Sequence, residues 1–219
     1  FNRAESLVSM GDLRRAIEDF SAYIRFSPDE ADGYTRRGTV YIGLEEYDLA
    51  REDLGKALHL DPKYVDAIIG SARLLMVEDK LDSALKELEK ALSLEPENSY
   101  ALSNRADIFY WTGEHSRAIE DYTRVLQLDG DRGDIFAARA EVYEASEMWA
   151  KALADYSEAI RLDEGGAVGE AGGRAEADEH MAAGAAAAAI GVLLGVAVLR
   201  AGGVMLRRYF GNMTTRRMQ

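Results

Sequence analysis

Cysteine is absent from the 219 residues, which excludes disulfide staples, thiolate nucleophiles and cysteine-held metal sites. Histidine is nearly absent as well: His59, His115 and His180 fall in separate stretches, and none has a second ligand at metal-binding spacing. No glycine precedes Gly55-Lys56 at the phosphate-loop interval, so there is no Walker motif. Positive charge is scarce where a nucleic acid would need it. Residues 1–164 carry 20 Lys and Arg against 35 Asp and Glu, and such a surface cannot displace counterions from phosphate. The acidic doublets Glu45-Glu46 and Glu52-Asp53 fall on alternating faces and read as solvated surface rather than as catalytic carboxylate pairs. No cofactor and no enzymatic constellation is expected.

Proline is also rare, and its placement is the main clue. Pro28, Pro62 and Pro96 stand 34 residues apart, and Ala16, Ala50, Ala84, Ala118 and Ala152 repeat the same step. Gly38, Ala72, Ala106 and Ala140 form a second small-residue column, and Ala57, Ala91, Val125 and Ala159 a third. Small side chains at such columns let helix backbones approach closely. Large apolar residues follow at helical spacing: Tyr41, Leu75, Phe109 and Tyr143 come three positions after the first residue of each pair, and Leu54, Leu88, Tyr122 and Tyr156 four after the second. Proline cannot continue a helix, so each helical pair stops at Asp61-Pro62 or Glu95-Pro96.

These columns resemble the tetratricopeptide repeat. The resemblance implies an all-α, right-handed superhelical solenoid of about five hairpins over residues 1–164, divided as 1–30 (partial), 31–64, 65–98, 99–132 and 133–164. Gly130 and Glu164 replace proline in the last two units, which leaves the loop geometry there open, and His115 replaces the usual apolar residue opening a second helix. The chain starts at Phe1 inside the expected first helix, the reading being a fragment or a processed protein.

The family binds partners in a groove lined by the first helix of each hairpin. Carried onto this sequence, the groove comprises Arg36 and Thr39, then Arg73 and Met76, then Asn104, Asp107, Tyr110 and Trp111, and finally Glu141. Two features are expected: an aromatic and apolar centre at Met76, Tyr110 and Trp111, and a gradient from basic to acidic along the groove. If Trp111 is a hot spot, its loss weakens binding by about 2 kcal/mol. The alternative for Tyr110 and Trp111 is packing between hairpins. The family's carboxylate clamp has no lysine here, its positions holding Thr35, Thr39, Asp66 and Gly70, so chaperone tails ending in EEVD are disfavoured.

Composition shifts after Asp163. Residues 165–180 read as a flexible glycine, alanine and acidic linker, in the place where a capping helix would cover the last hairpin. Residues 181–199 contain no charge and suit a single transmembrane helix, with room to extend to 206. An alanine-rich helix in water is the alternative. Ala183, Ala187, Gly191 and Gly195 form a small-residue face for transmembrane packing. The tail 200–219 holds five arginines and no acid. Its charge, by the positive-inside rule, points to the cytosol, matrix or stroma, whereas a tail anchor would leave the repeats in the cytosol. The layout is similar to tail-anchored adaptors and receptors of the mitochondrial outer membrane, which favours that or another organelle membrane. The functional expectation is a membrane-anchored scaffold or adaptor that binds a protein partner. The alternative is a structural or assembly subunit of an organellar or bacterial membrane complex.

Overall fold

The computed structural model describes residues 1–168, with side chains described through Asp163. It contains ten α-helices and no strand among the described residues. They alternate with the expected period: α1 (Asn2–Ser9), α2 (Leu13–Phe26), α3 (Ala31–Gly43), α4 (Tyr47–Leu60), α5 (Val65–Val77), α6 (Leu81–Leu94), α7 (Ser99–Trp111), α8 (His115–Leu128), α9 (Gly133–Ala145) and α10 (Trp149–Val168). The chain divides into two compact units, Phe1–Gly130 with α1 to α8 and a second beginning at Asp131 with α9 and α10.

The small-residue columns sit where the helices meet. Ala16, Ala50, Ala84, Ala118 and Ala152 are all fully buried, as are Ala72, Ala106 and Ala140. A Cβ added to Gly38 would lie 3.0 Å from the Leu54 side chain and 3.4 Å from the Ala50 carbonyl, so this column has room for little more than a methyl group. Within the first unit α3 packs on α4 and also on α5, and α5 packs on α6 and also on α7. First helices therefore stack on first helices, which aligns one face of each.

Two further columns have the same period. The residue closing the turn inside each hairpin has positive φ: Gly11, Glu45, Asp79, Gly113 and Glu147. At each turn the next N–H reaches back five residues, as from Glu46 to the Tyr41 carbonyl at 2.9 Å, capping the helix end. Only two of the five positions hold glycine, the residue that adopts this conformation without a Cβ penalty.

The other column is ionic and corrects the sequence reading. Asp53, expected in solvent, is buried and receives two hydrogen bonds from Arg37, both 2.7 Å. Arg105 meets Asp121 and Arg139 meets Asp155 in the same bidentate way, and Arg3 pairs with Asp19 at the same separation of 16. The hydrogen bonds and the charge of its aspartate hold each guanidinium protonated above its ordinary range, against the effect of burial. Doublet reading failed because the face that an aspartate occupies depends on where the partner helix lies.

One boundary also differs from expectation, and one left open is defined by the structure. Residues 165–168, assigned above to the linker, continue α10, since extending a formed helix adds a hydrogen bond per residue fixed. The turn at Gly130, left open for want of proline, begins like the others: Asp129 is extended (φ −143°, ψ 96°), close to Asp61 (φ −135°, ψ 100°). The linker from 169, the run 181–199 with Ala183, Ala187, Gly191 and Gly195, and the basic tail all lie outside the described residues. No helix among the described residues is long and apolar enough to cross a membrane.

Candidate functional site

Stacking the first helices brings their equivalent faces together. Positions i, i+3, i+4 and i+7 of a helix share a face, and three successive helices present that set to one concave pocket of about 560 Å³. From α3 come Thr35, Arg36 and Thr39; from α5, Asp66, Ile69, Gly70 and Arg73; from α7, Tyr100, Ser103, Asn104 and Asp107. Five of the groove residues expected from sequence meet here: Arg36, Thr39, Arg73, Asn104 and Asp107.

The remaining four are elsewhere. Met76 is half-buried near the end of α5, and Tyr110 lies with its ring 6.0 Å from that of His115 in the same hairpin. Trp111 is the last residue of α7 and is 57% exposed. None of the three lines the pocket: Met76 stands ten residues beyond Asp66, and Tyr110 and Trp111 ten and eleven beyond Tyr100, roughly 15 Å further along the helix axis. Glu141 is exposed on α9, in the second unit.

Tyr100 and Ser103 were not anticipated. Tyr100 is 65% exposed although its ring is large, and it lies at the pocket edge. A signal existed: Asp32, Asp66, Tyr100 and Asp134 form one column of the 34-residue period, and tyrosine interrupts an otherwise acidic series.

The expected basic end is neutralised. Arg36 lies 3.3 Å from Asp66, 3.4 Å from Asp32 and 3.5 Å from Glu5, so one guanidinium is shared by carboxylates of α1, α3 and α5. Its Nε is buried without a hydrogen bond. Burial lowers its basicity, but Asp66, Asp32 and Glu5 together outweigh that and keep it charged. Tyr64 donates a 2.9 Å hydrogen bond to Asp32, and burial followed by this bond holds its phenol protonated far above the usual range. Arg73, exposed in the pocket, has no such carboxylate partner among the described residues.

The second unit has a depression of its own, about 580 Å³, against α9 and α10, bordered by Ala137, Tyr156, Ala159, Ile160 and Leu162 with Asp131, Asp134 and Asp163. Arg132 donates two hydrogen bonds to Asp134 and holds that carboxyl below its usual range. Among the described residues no group of three or more His, Asp or Glu is arranged to hold a metal ion.

Antiparallel helix pairs repeating at a 34-residue step, with one face of α3, α5 and α7 lining a common pocket, define a helical-repeat protein. Within residues 1–108 these repeats are tetratricopeptide repeats: residues 1–67 and 41–108 each match a family model of that description. Solved structures with the same fold include MamA (41-end) from Desulfovibrio magneticus RS-1, with 16% identity and a TM-score of 0.58 over 75% of this chain and 93% of that one. PilF of Pseudomonas aeruginosa aligns at 18% identity and a TM-score of 0.64, covering 79% of this chain and 75% of that one. YrrB, described as a TPR protein with an unusual peptide-binding site, aligns at 23% identity and a TM-score of 0.51, covering 84% and 88%. No curated protein matches the chain.

Proposed function

We propose that this protein is an interaction scaffold whose pocket between α3, α5 and α7 holds a segment of a partner protein. The observation that carries the reading is convergence: the same helical face of three successive repeats lines one cavity, with an exposed tyrosine at its edge. Exposed aromatics beside a concave polar surface serve as anchors in protein recognition. The peptide-binding site named for YrrB, a protein of the same fold, supports the use of such repeats for peptides.

The location half of the proposal rests on sequence. The uncharged run 181–199, followed by the arginine-rich tail, anchors the scaffold at a membrane, with Ala183, Ala187, Gly191 and Gly195 offered to a second membrane helix. Alkaline extraction of membranes tests this half: release of the full chain into the supernatant would end it.

For the pocket, a photo-crosslinking amino acid placed at Tyr100 is expected to capture a discrete protein in cells. The same residue placed at Lys90, exposed on α6, is the control. Equal capture at both positions, or at neither, would remove the pocket as the binding site.

A further inference from the structure

We infer that the pocket selects an extended partner segment bearing arginine or lysine, an inference that rests on the reading of the pocket as the binding site. Thr39 donates its hydroxyl proton to the Thr35 carbonyl at 2.9 Å, Ser103 donates to the Tyr100 carbonyl at 3.1 Å, and Asn104 donates an N–H to that same carbonyl at 2.6 Å. These side chains line the pocket, yet the hydroxyl protons of Thr39 and Ser103 and one of the two N–H groups of Asn104 are used within their own helices, so what they chiefly offer a ligand is oxygen lone pairs.

Formal charge points the same way. Asp66 and Asp107 line the cavity, and Glu5 and Asp32 stand beside it around Arg36, so four carboxylates face two guanidiniums. The charge of Arg36 is offset by three of those carboxylates, so it adds little positive potential to the cavity. Asp66 gives Arg36 a single contact, through Oδ2 at 3.3 Å. Asp107 accepts a hydrogen bond from Tyr122. A surface rich in acceptors and net negative suits a donor-rich, cationic chain: backbone N–H groups meet the threonine, serine and asparagine oxygens, and a guanidinium or ammonium meets Asp66 and Asp107. Tyr100, exposed at the edge, supplies a ring face on which a cation or its aliphatic stem can rest. Arg73 is the exception and opposes a second cation at its end, giving the bound segment a direction.

The probe is a phage-displayed library of random peptides selected on the full chain, with selected peptides then synthesised and titrated. Enriched sequences are expected to carry Arg or Lys and few acids. Their binding should weaken at least about threefold between low and physiological salt. It should fall about fivefold or more with Asp66→Asn or Asp107→Asn, each of which keeps the shape and an acceptor, and should tighten with Arg73→Ala. Thermal unfolding of each variant separates lost recognition from lost folding. Enrichment of acidic or uncharged peptides that still require Tyr100 would overturn the cationic preference while leaving the pocket as a binding site. Enrichment of nothing, or of peptides indifferent to every pocket substitution, would overturn both. A synthetic peptide of residues 200–219 that displaces the selected peptides at lower concentration than they displace one another would assign the pocket to this chain's own arginine-rich end and overturn the partner assignment.

Discussion

The hairpin of α3 and α4 and the hairpin of α5 and α6 have the same helix lengths and turns, but they are held together differently. In the first, Arg37 and Asp53 clamp the two helices through a shielded bidentate pair, and Arg37 also reaches Ser21 of the preceding hairpin at 2.8 Å. In the second, the same columns hold Ser71 and Glu87, which form no ion pair with each other. There α5 buries Val65, Ala67, Ile68, Ile69, Gly70, Ala72 and Leu74, whereas α3 buries a smaller and more polar set, Gly33, Thr35, Gly38, Val40 and Ile42. Apolar packing and a satisfied ion pair are interchangeable at comparable cost in stability. The period is therefore a property of the backbone, and individual side-chain solutions vary under it. The hairpin that relies on apolar contacts also supplies the centre of the pocket, where Gly70 lies so close to Leu54 that an added Cβ would be 2.7 Å from its Cδ2.

That contrast can be broken most directly by removing one carboxylate from each hairpin. Asp53→Ala leaves the Arg37 guanidinium without its counter-charge in a largely shielded site and is expected to cost about 2–3 kcal/mol. Glu87→Ala should change stability by no more than about 0.5 kcal/mol. Urea midpoints of the two variants check this; equal losses would mean that the ion-pair column contributes nothing special.

A smaller effect sharpens the likeness between the same hairpins. Glu45 and Asp79 occupy the left-handed turn position with φ of 62° and 59°, so Glu45→Gly and Asp79→Gly are each expected to stabilise by about 0.5–1 kcal/mol. A fall in melting temperature for both would show that their side chains compensate for the backbone strain.

The smallest effect is pH-dependent and belongs to the second hairpin's turn. Glu78 is held below its ordinary range by its hydrogen bond to Lys80, then by Arg51, against the opposing effect of burial. Its depressed folded-state value means that the contribution is present above the unfolded carboxyl value of about 4.3 and is lost as pH falls through the folded value. Glu78→Gln should therefore flatten the loss of stability below about pH 4 while changing little at pH 7; an unchanged acid slope would remove this group from the account.

How far the sequence was legible depends on which residues are asked. Pro28, Pro62 and Pro96 end their helices by covalent geometry alone, so the hairpin boundaries follow from composition at known spacing. The alanine columns were legible for a similar reason, since a small residue repeated at close-packing positions has one explanation. Arg36 was visible as a groove residue but not as a neutralised one, because Glu5, Asp32 and Asp66 reach it from three helices. Tyr100 was overlooked and Trp111 preferred, since the two lie eleven residues apart on nearly the same helical face and only the extent of the cavity along the axis distinguishes them.

By itself the sequence determined the period, the helical class, the turn positions and the acidic balance, all of which depend on local geometry or on counting charges. Only the tertiary structure decided which aspartates enter the interior, which arginine is already neutralised and which face of α3, α5 and α7 encloses a cavity. Those outcomes depend on distances between helices, and no spacing along one chain specifies how far a charge on one helix lies from a charge on the next.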